Sequence, residues 1–289
     1  MIFITGATGS IGSELCRLLA AEKIKARAMC RKQEQLSRLR DMGHEAVLAI
    51  FDQPDSIRPA MQGCDKLFLL TSPDENHFER EKTIIDIAIE SGIKQIVRLS
   101  TGDANLSAKL AYAKSHAQVD HYLRTTSVNW TILRPTGFMQ NFIESSATIA
   151  RGSLPHMMEE GQISYIDLRD IALVAKCALT EDEKHHRAIY FLTGTESLTV
   201  NAVAELLTAG LGKKIEACNI AEAEMRKILS YSGMSVWHKD ALIEQFIIGA
   251  NGCEIDVTEE VYRITGKVPR SFRQFINDYK EQFLTPDHE

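Results

Sequence analysis

Apolar and polar positions follow a regular rhythm through the first half of the chain. Six short runs, IFIT, KARAMC, EAVLAIF, DKLFLLT, KQIVRLS and NWTILRP, are apolar over most of their length and predict strands. Helical spacing fills the intervals. SIGSELCRLLAAEK puts Ile11, Leu15, Leu18 and Leu19 on one face, and EQLSRLRDMG and SIRPAMQG read as shorter helices. HFEREKTIIDIAIESG is amphipathic and stops at Gly92, and a further helix covers roughly Ala108 to Thr125. Continuous apolar strands are buried on both faces. Strands that alternate with helices across short connections build a parallel sheet covered on both sides.

Beyond Pro135 the alternation continues less regularly. QISYIDL, AIYFLTG and KIEACNI predict strands; RDIALVAKCAL and SLTVNAVAELLTAGLG predict helices. The last stretch reads as helices in AEAEMRKILSYSG, VWHKDALIEQFIIG, VTEEVYRITG and SFRQFINDYKEQF. No Ser/Gly/Pro-rich linker and no repeat separates the halves. The division expected is therefore residues 1–135 as a core and residues 136–289 as a smaller α/β cap interwoven with it.

The turn after the first strand carries the first chemical signal. TGATGSIG spaces glycines as Gly6-x-x-Gly9-x-x-Gly12, between a strand and a helix. Such glycines make the tight turn, let the backbone approach a pyrophosphate, and let helix and strand pack closely. The amides that open the helix, over Gly9, Ser10, Ile11 and Gly12, point at that anion, and Thr8 and Ser10 add hydroxyls. After the second strand, a protein preferring NAD places an acid against the ribose 2′-hydroxyl. This chain has Cys30-Arg31-Lys32 there. A carboxylate would repel a 2′-phosphate, whereas a guanidinium binds it with paired hydrogen bonds. NADP(H) is the expected cofactor, with Arg31 the main contact and Lys32 a helper.

Composition narrows the class. With 289 residues, 44% of them hydrophobic, the chain can bury a sizeable core. A net charge of −6 gives no basic footprint for nucleic acid. No stretch approaches the roughly 20 apolar residues that cross a bilayer, and no basic-then-apolar leader precedes the first strand. The six cysteines, Cys16, Cys30, Cys64, Cys177, Cys218 and Cys253, form no CxxC pair and read as reduced thiols of a cytoplasmic protein. His185 and His186 lack a second ligand pair, so no metal is expected.

TGATGSIG, then CRK after the second strand, DQPDSI after the third and TILRPTGFMQNF at the sixth, resemble the NmrA-like branch of the atypical short-chain dehydrogenase/reductases. The later YIDLRDIA and VPRSFRQFINDY resemble it too, so the likeness spans nearly the whole chain. The resemblance implies a Rossmann-type doubly wound parallel sheet with a smaller α/β C-terminal cap. It implies NADPH-dependent quinone or triphenylmethane dye reduction, or a regulator that senses NADP(H) without turning it over. It also implies that Asp52 and Gln53 lie near the adenine, and that Leu70, Thr71, Ser72 and Pro73 lie beside the ribose and nicotinamide.

The catalytic pattern departs from that of ordinary short-chain dehydrogenases, which carry Ser and then Tyr-x-x-x-Lys. Here Ser100 is followed by Tyr112-Ala-Lys-Ser-His116, so histidine stands in the lysine position and Lys114 falls on another face. An imidazole can bond a ribose hydroxyl or relay a proton. One turn further on, Asp120 is placed to orient His116 by a charge-assisted hydrogen bond. Lys109 and His121 read as solvated. A planar acceptor takes its proton from solvent or a weak acid and tolerates this pair, whereas a sugar epimerase needs a tuned base. The expected substrate is a small quinone-like or conjugated aromatic molecule, bound where Thr136, Gly137, Phe138 and Asn141 follow the sixth strand toward the cap. Phe142, Met157, Met158 and Trp237 are further candidates, and Asp167, Arg169 and Asp170 read as helix anchors. Monomer and homodimer both remain open.

Overall fold

The computed structural model describes residues 1–109, 111–181, 183–252 and 254–284. In chain order the elements begin β1 (Ile2–Ile4), α1 (Ser10–Ala21), β2 (Ala26–Cys30), α2 (Gln35–Asp41), β3 (Glu45–Leu48) and α3 (Pro54–Met61). They continue β4 (Lys66–Leu69), α4 (His77–Glu90), β5 (Gln95–Leu99), α5 (Ala111–Thr125) and β6 (Asn129–Pro135). Then come α6 (Asn141–Glu144), α7 (Ser146–Ala150), β7 (Ser153–His156), β8 (Gln162–Ile163), α8 (Leu168–Thr180) and β9 (Ala188–Leu192). The last are β10 (Leu198–Thr199), α9 (Val200–Leu211), β11 (Glu216–Asn219), α10 (Glu222–Ser230), α11 (Val236–Ala250), α12 (Glu260–Thr265), α13 (Phe272–Asp278) and α14 (Lys280–Leu284).

Contacts divide the chain into two units, one of Met1–Arg134 with Arg169–Phe191, the other of Pro135–Leu168 with Leu192–Glu289. Residues 169–191 thus return to the first unit, although they lie beyond the Pro135 boundary read from the sequence. Two bonds hold α8 there: Gln95 Nε2 donates to the Ala178 carbonyl at 2.9 Å in the interior, and Lys66 Nζ to that of Leu179 at 2.7 Å in a partly buried setting.

Seven strands form the main sheet in the order β3-β2-β1-β4-β5-β6-β9. The first six positions have the doubly wound order, in which the chain reverses direction across the sheet between β1 and β4. Each ladder from β3 to β6 is parallel, with Ile4 opposite both Ala28 and Phe68. The Arg187 N–H bond to the Trp130 carbonyl and the Thr136 N–H bond to the Leu192 carbonyl give β9 the same direction as β6. On one face Phe3, Ile57, Ile84, Ile85, Ile96, Val119 and Ile132 pack into a continuous core, with Arg98 buried among the strands that carry it.

The second unit is built on a different scale. β7 pairs with β11 in parallel and β8 with β10 antiparallel. Its core centres on Phe142, Tyr165 and Phe272, whose rings meet edge-on at 5.1, 5.2 and 6.0 Å. Several elements here depart from the periodicity. QISYIDL is strand only at Gln162–Ile163; past it Ser164 Oγ lies 3.0 and 2.8 Å from the Glu254 and Asp256 carbonyls, and loop bonds replace a ladder. β7 lies between Gly152 and the HMMEEG stretch, with Pro155 inside it, so it is punctuated like a loop. Leu110 lies outside the described residues, so the helix expected from about Ala108 is described from Ala111.

The glycine turn obeys hard geometry. A Cβ on Gly12 would stand 2.1 Å from the Gly6 carbonyl oxygen. Gly6 has φ +62°, and a Cβ there would meet the Leu70 carbonyl at 2.9 Å. Gly9 has φ −82° and only an ordinary 3.4 Å neighbour. Gly12→Ala is therefore expected to destabilise the protein by about 2 kcal/mol or more through forced separation of α1 from the turn. Gly9→Ala should leave the melting midpoint nearly unchanged. Thermal unfolding of the two variants checks this, and equal midpoints would refute the packing argument.

Candidate active site

The glycine turn and the strand ends around it form one half of the site. α1 is twelve residues long, begins at Ser10, and Gly9 caps it without a side-chain hydrogen bond. Its first-turn amides are thus not covered by a capping side chain, as an anion-binding terminus requires. Ile11 is buried under the helix, while Thr8 and Ser10 are exposed. Thr5 Oγ1 accepts the Leu70 N–H at 2.8 Å and lies 3.0 Å from the Phe68 carbonyl, tying the end of β1 to the end of β4. Arg31 and Lys32 are exposed just past β2, and Gln35 Oε1 accepts both their backbone N–H groups at 3.3 and 3.1 Å. The Arg31 guanidinium has no partner among the described residues; Lys32 Nζ lies 3.8 Å from Glu34.

A second feature ties two loops together. Arg80 of α4 donates to both Asp74 oxygens, at 3.0 and 2.6 Å, and its Nε lies 3.5 Å from Asp52. It also reaches the Ser72 carbonyl at 3.3 Å. Asp52 and Ser72, expected beside the adenine and ribose respectively, are thus joined through one guanidinium. Gln53 starts α3 without capping it, and Pro73 is half-buried. Thr71 is buried and its hydroxyl is committed to Glu81 at 2.8 Å.

The other half of the site is a buried charged lattice behind β4, β5 and β6. Arg98 is fully buried in β5. Its Nε donates to Glu81 Oε2 at 2.6 Å, its Nη1 donates to Asp120 Oδ1, and its Nη2 stands 3.2 Å from His116 Nδ1. Asp120 Oδ2 also accepts from Ser100 Oγ at 2.9 Å and from Arg134 Nε and Nη2 at 2.9 and 2.7 Å. His77 Nε2 lies 3.3 Å from Glu81 Oε1, at ion-pair distance but without hydrogen-bond alignment, and its Nδ1 faces Ser115 Oγ at 3.1 Å. The rings of His77 and Tyr112 lie 4.4 and 4.8 Å from that of His116. Burial alone would raise the Glu81 carboxyl, but the attraction of Arg98, aided by His77, holds it well below the usual range. Burial, His77 and Arg98 together push His116 well below an ordinary imidazole, against the opposing pull of Glu81.

This geometry corrects one expectation. Asp120 does not hydrogen-bond His116. The helical spacing does bring them to one region, but Arg98 stands between them and bonds both, because a buried guanidinium needs acceptors on every edge. Ser100 likewise donates to Asp120 and is not a free hydroxyl. Lys109, Lys114 and His121 are exposed. The acceptor-side residues belong to the second unit. Thr136 donates to the Ser164 carbonyl at 2.6 Å, the Gly137 N–H donates to Glu254 at 3.1 Å, Phe138 bridges to Ile166, and Asn141 is exposed. Phe142 and Met158 are core, Met157 packs beside the small Met225–Leu229–Ile243 cluster, and Trp237 is half-exposed. Gln140 bonds both the Asp167 carboxyl and the Leu168 N–H, each at 3.0 Å, at the start of α8.

Sequence reasoning missed Glu81, Arg98, Arg134 and His77. The readable signal was a single arginine inside each of two otherwise apolar strands, QIVRLS and TILRP. It also missed Asp103, which follows β5. Burial raises its carboxyl against the 2.6 Å bond from Thr101, and Oδ2 has no hydrogen-bond partner among the described residues. Five cysteines are free thiols; Cys253 lies outside the described residues. No group of acids, histidines and cysteines among the described residues could hold a metal, and no helix among them is long and apolar enough to cross a membrane.

A doubly wound parallel sheet with a glycine turn leading into an uncapped helix defines a dinucleotide-binding protein. The chain belongs to the NAD(P)H-binding family, whose model matches residues 6–182. It is 28% identical over 285 residues to an NAD(P)H azoreductase of Xenophilus azovorans, across 98% of this chain and 99% of that one. It is 30% identical over 206 residues to festuclavine dehydrogenase of Aspergillus fumigatus, across 69% of each. Among solved structures it is similar to the NADPH-dependent quinone oxidoreductase of Escherichia coli, with TM-score 0.84 and 22% identity over 97% of this chain and all of that one. It is also similar to the triphenylmethane reductase of Citrobacter sp. bound to NADP(H), with TM-score 0.83 and 21% identity over 94% of this chain and 98% of that one. The cofactor is a nicotinamide dinucleotide, and an α1 terminus whose Gly9 cap covers no amide with a side chain is chemically suited to an anionic diphosphate.

Because Glu81 is held below its unfolded value, the unfolded chain binds more protons, and stability is lost as pH falls below about 4.5. Glu81→Gln should lower stability near neutrality by about 3–5 kcal/mol and flatten the acid limb of the Tm-against-pH curve. Parallel curves for variant and parent would show that Glu81 does not govern that limb.

Proposed function

We propose that the protein is an NADPH-dependent reductase that passes hydride to a small quinone-like or conjugated aromatic acceptor. The observation that carries the reading is the pairing of an uncapped, glycine-opened α1 with an exposed Arg31-Lys32 pair in place of the acid that favours NAD. The names of the relatives support the class, since they are an azoreductase, a quinone oxidoreductase and a triphenylmethane reductase.

The dinucleotide, when bound, supplies the hydride. The chain's own part is to bind and orient. The α1 amides and the turn of Gly6, Gly9 and Gly12 take the diphosphate, and Arg31 takes the 2′-phosphate with Lys32 beside it. Arg80 holds the Asp52 and Ser72 segments in place around the adenosine end. Leu70, Thr71 and Pro73 shape the strand edge beside the nicotinamide through backbone and packing, since the Thr71 hydroxyl is engaged elsewhere. His116, flanked by Tyr112, presents a hydrogen-bond donor to a ligand oxygen. Asp120 acts on it only through Arg98, as a positioning residue. A conjugated acceptor takes its proton from solvent, so no strong general acid is required.

NADPH mixed with a panel of quinones and azo compounds should lose its nicotinamide absorbance, and no turnover with any acceptor would remove the proposal. Arg31→Ala should weaken NADPH binding by about tenfold or more while leaving NADH nearly unaffected. Parallel losses would mean that Arg31 does not meet the 2′-phosphate. His116→Ala should lower kcat more than cofactor affinity, and unchanged kinetics would take His116 out of the reaction.

A further inference from the structure

We propose that Arg98 fixes the tautomer of His116, leaving its proton on Nε2 and directing that N–H to an oxygen of a bound ligand. The inference rests on the reading of His116 as a site residue and adds what holds it and in which chemical form it works.

The argument starts from donors and acceptors. A guanidinium has N–H donors only, so the 3.2 Å contact from Arg98 Nη2 leaves His116 Nδ1 the acceptor. An imidazole that accepts at Nδ1 carries its proton on Nε2. That Nε2 is buried and has no hydrogen-bond partner among the described residues, while the residue as a whole is 5% exposed. A buried N–H without a partner is costly, and one on a ring held rigidly by its other nitrogen is placed for an acceptor that arrives with a ligand.

The surroundings keep the ring in that form. From α4, His77 and Glu81 act on it; from β5, Arg98; from β6, Arg134; and from its own helix, Tyr112, with Asp120 lying beyond Arg98. Both carboxylates are already matched to arginines, Glu81 to Arg98 and Asp120 to Arg98 and Arg134. A proton added at Nδ1 would point at a guanidinium. His116 therefore remains neutral, and giving up its Nε2 proton would leave an imidazolate. It serves as a fixed hydrogen-bond donor, and the proton that accompanies hydride to the acceptor comes from water.

Long-range proton–nitrogen correlation spectra of the nitrogen-15-labelled protein test this, with the His116 signals assigned by their loss in His116→Gln. Near about pH 7 the parent should show a neutral Nε2–H ring, with no imidazolium down to about pH 5.5. Its Nε2–H signal should shift on addition of NADP⁺, if the oxygen is the cofactor's, or only on further addition of a tetramethyl-substituted benzoquinone, if it is the acceptor's. In Arg98→Gln the ring should regain a titration close to that of an ordinary imidazole, and the pH profile of kcat/KM, flat through this range in the parent, should acquire the same step. An Nδ1–H tautomer or an imidazolium in the parent overturns the proposal. So does an Arg98→Gln spectrum and pH profile identical to the parent's. Should that variant not fold, the parent spectrum alone decides. An Nε2–H signal that ignores both ligands, while NADPH fluorescence shows the cofactor bound, overturns this inference and leaves the functional reading standing. Absence of cofactor binding removes both.

Discussion

A guanidinium buried to zero exposure in a central parallel strand is the constraint around which the site is organised. Arg98 has no access to water, so every N–H edge must find an acceptor inside the protein. Glu81, Asp120 and His116 supply those acceptors from α4 and α5, and Arg134 balances the second carboxylate. Two cations face two anions. Removing any one of the four leaves an uncompensated buried charge, which costs far more than the intact set gains over an apolar core. The lattice is thus better understood as a device that fixes geometry than as a source of stability. It pins the carboxyl ends of β4, β5 and β6 and the inner faces of α4 and α5 to each other at the sheet edge where ligands sit in this architecture.

The glycine turn works by the opposite means. There the protein removes side chains so that backbone can meet backbone and amides can meet an anion. Gly12 and Gly6 approach so closely that no other residue fits at Gly12, and Thr5 locks the strand end behind them. The positive end of the α1 dipole and its unpaired first-turn amides suit an anion there, and the exposed Arg31-Lys32 pair adds cationic charge past β2. The two regions differ in solvent accordingly: the Arg31-Lys32 pair is open to water, while Glu81, Arg98 and Asp120 are buried.

That contrast explains what could be read in advance. Strand and helix alternation, the parallel sheet and the tight glycine turn into α1 were legible because each is local. TGATGSIG and CRK carry their chemistry within a few neighbouring residues. The lattice was not, because its members lie on β5, β6, α4 and α5, and no spacing rule links Glu81 to Arg98 or Arg134 to Asp120. The spacing of His116 and Asp120 did place both on the inner side of α5, but a helical period says nothing of a strand residue that comes between them. In the second unit, β7 and the loop around Ser164 escaped for a related reason. Glycine and proline mark β7 as a break although it pairs with distant β11, whereas the apolar QISYIDL reads as a strand although past Ile163 its bonds go to the distant Glu254 and Asp256 carbonyls.

The same lattice bears on the kind of chemistry the site can support. An imidazole shielded by burial and faced by a guanidinium is poorly suited to take a proton from an alcohol, since each step toward imidazolium adds a charge where two arginines already stand. It is well suited to polarise an oxygen without exchanging protons, because a fixed N–H in a water-poor environment interacts strongly and needs no reorganisation as charge develops. Hydride arriving at a conjugated acceptor spreads negative charge onto such an oxygen, and the final protonation can follow in solvent. The histidine at position 116, which departs from the Tyr-x-x-x-Lys pattern of ordinary short-chain dehydrogenases, is on this view the local expression of a site built around a charge-balanced, proton-retaining core.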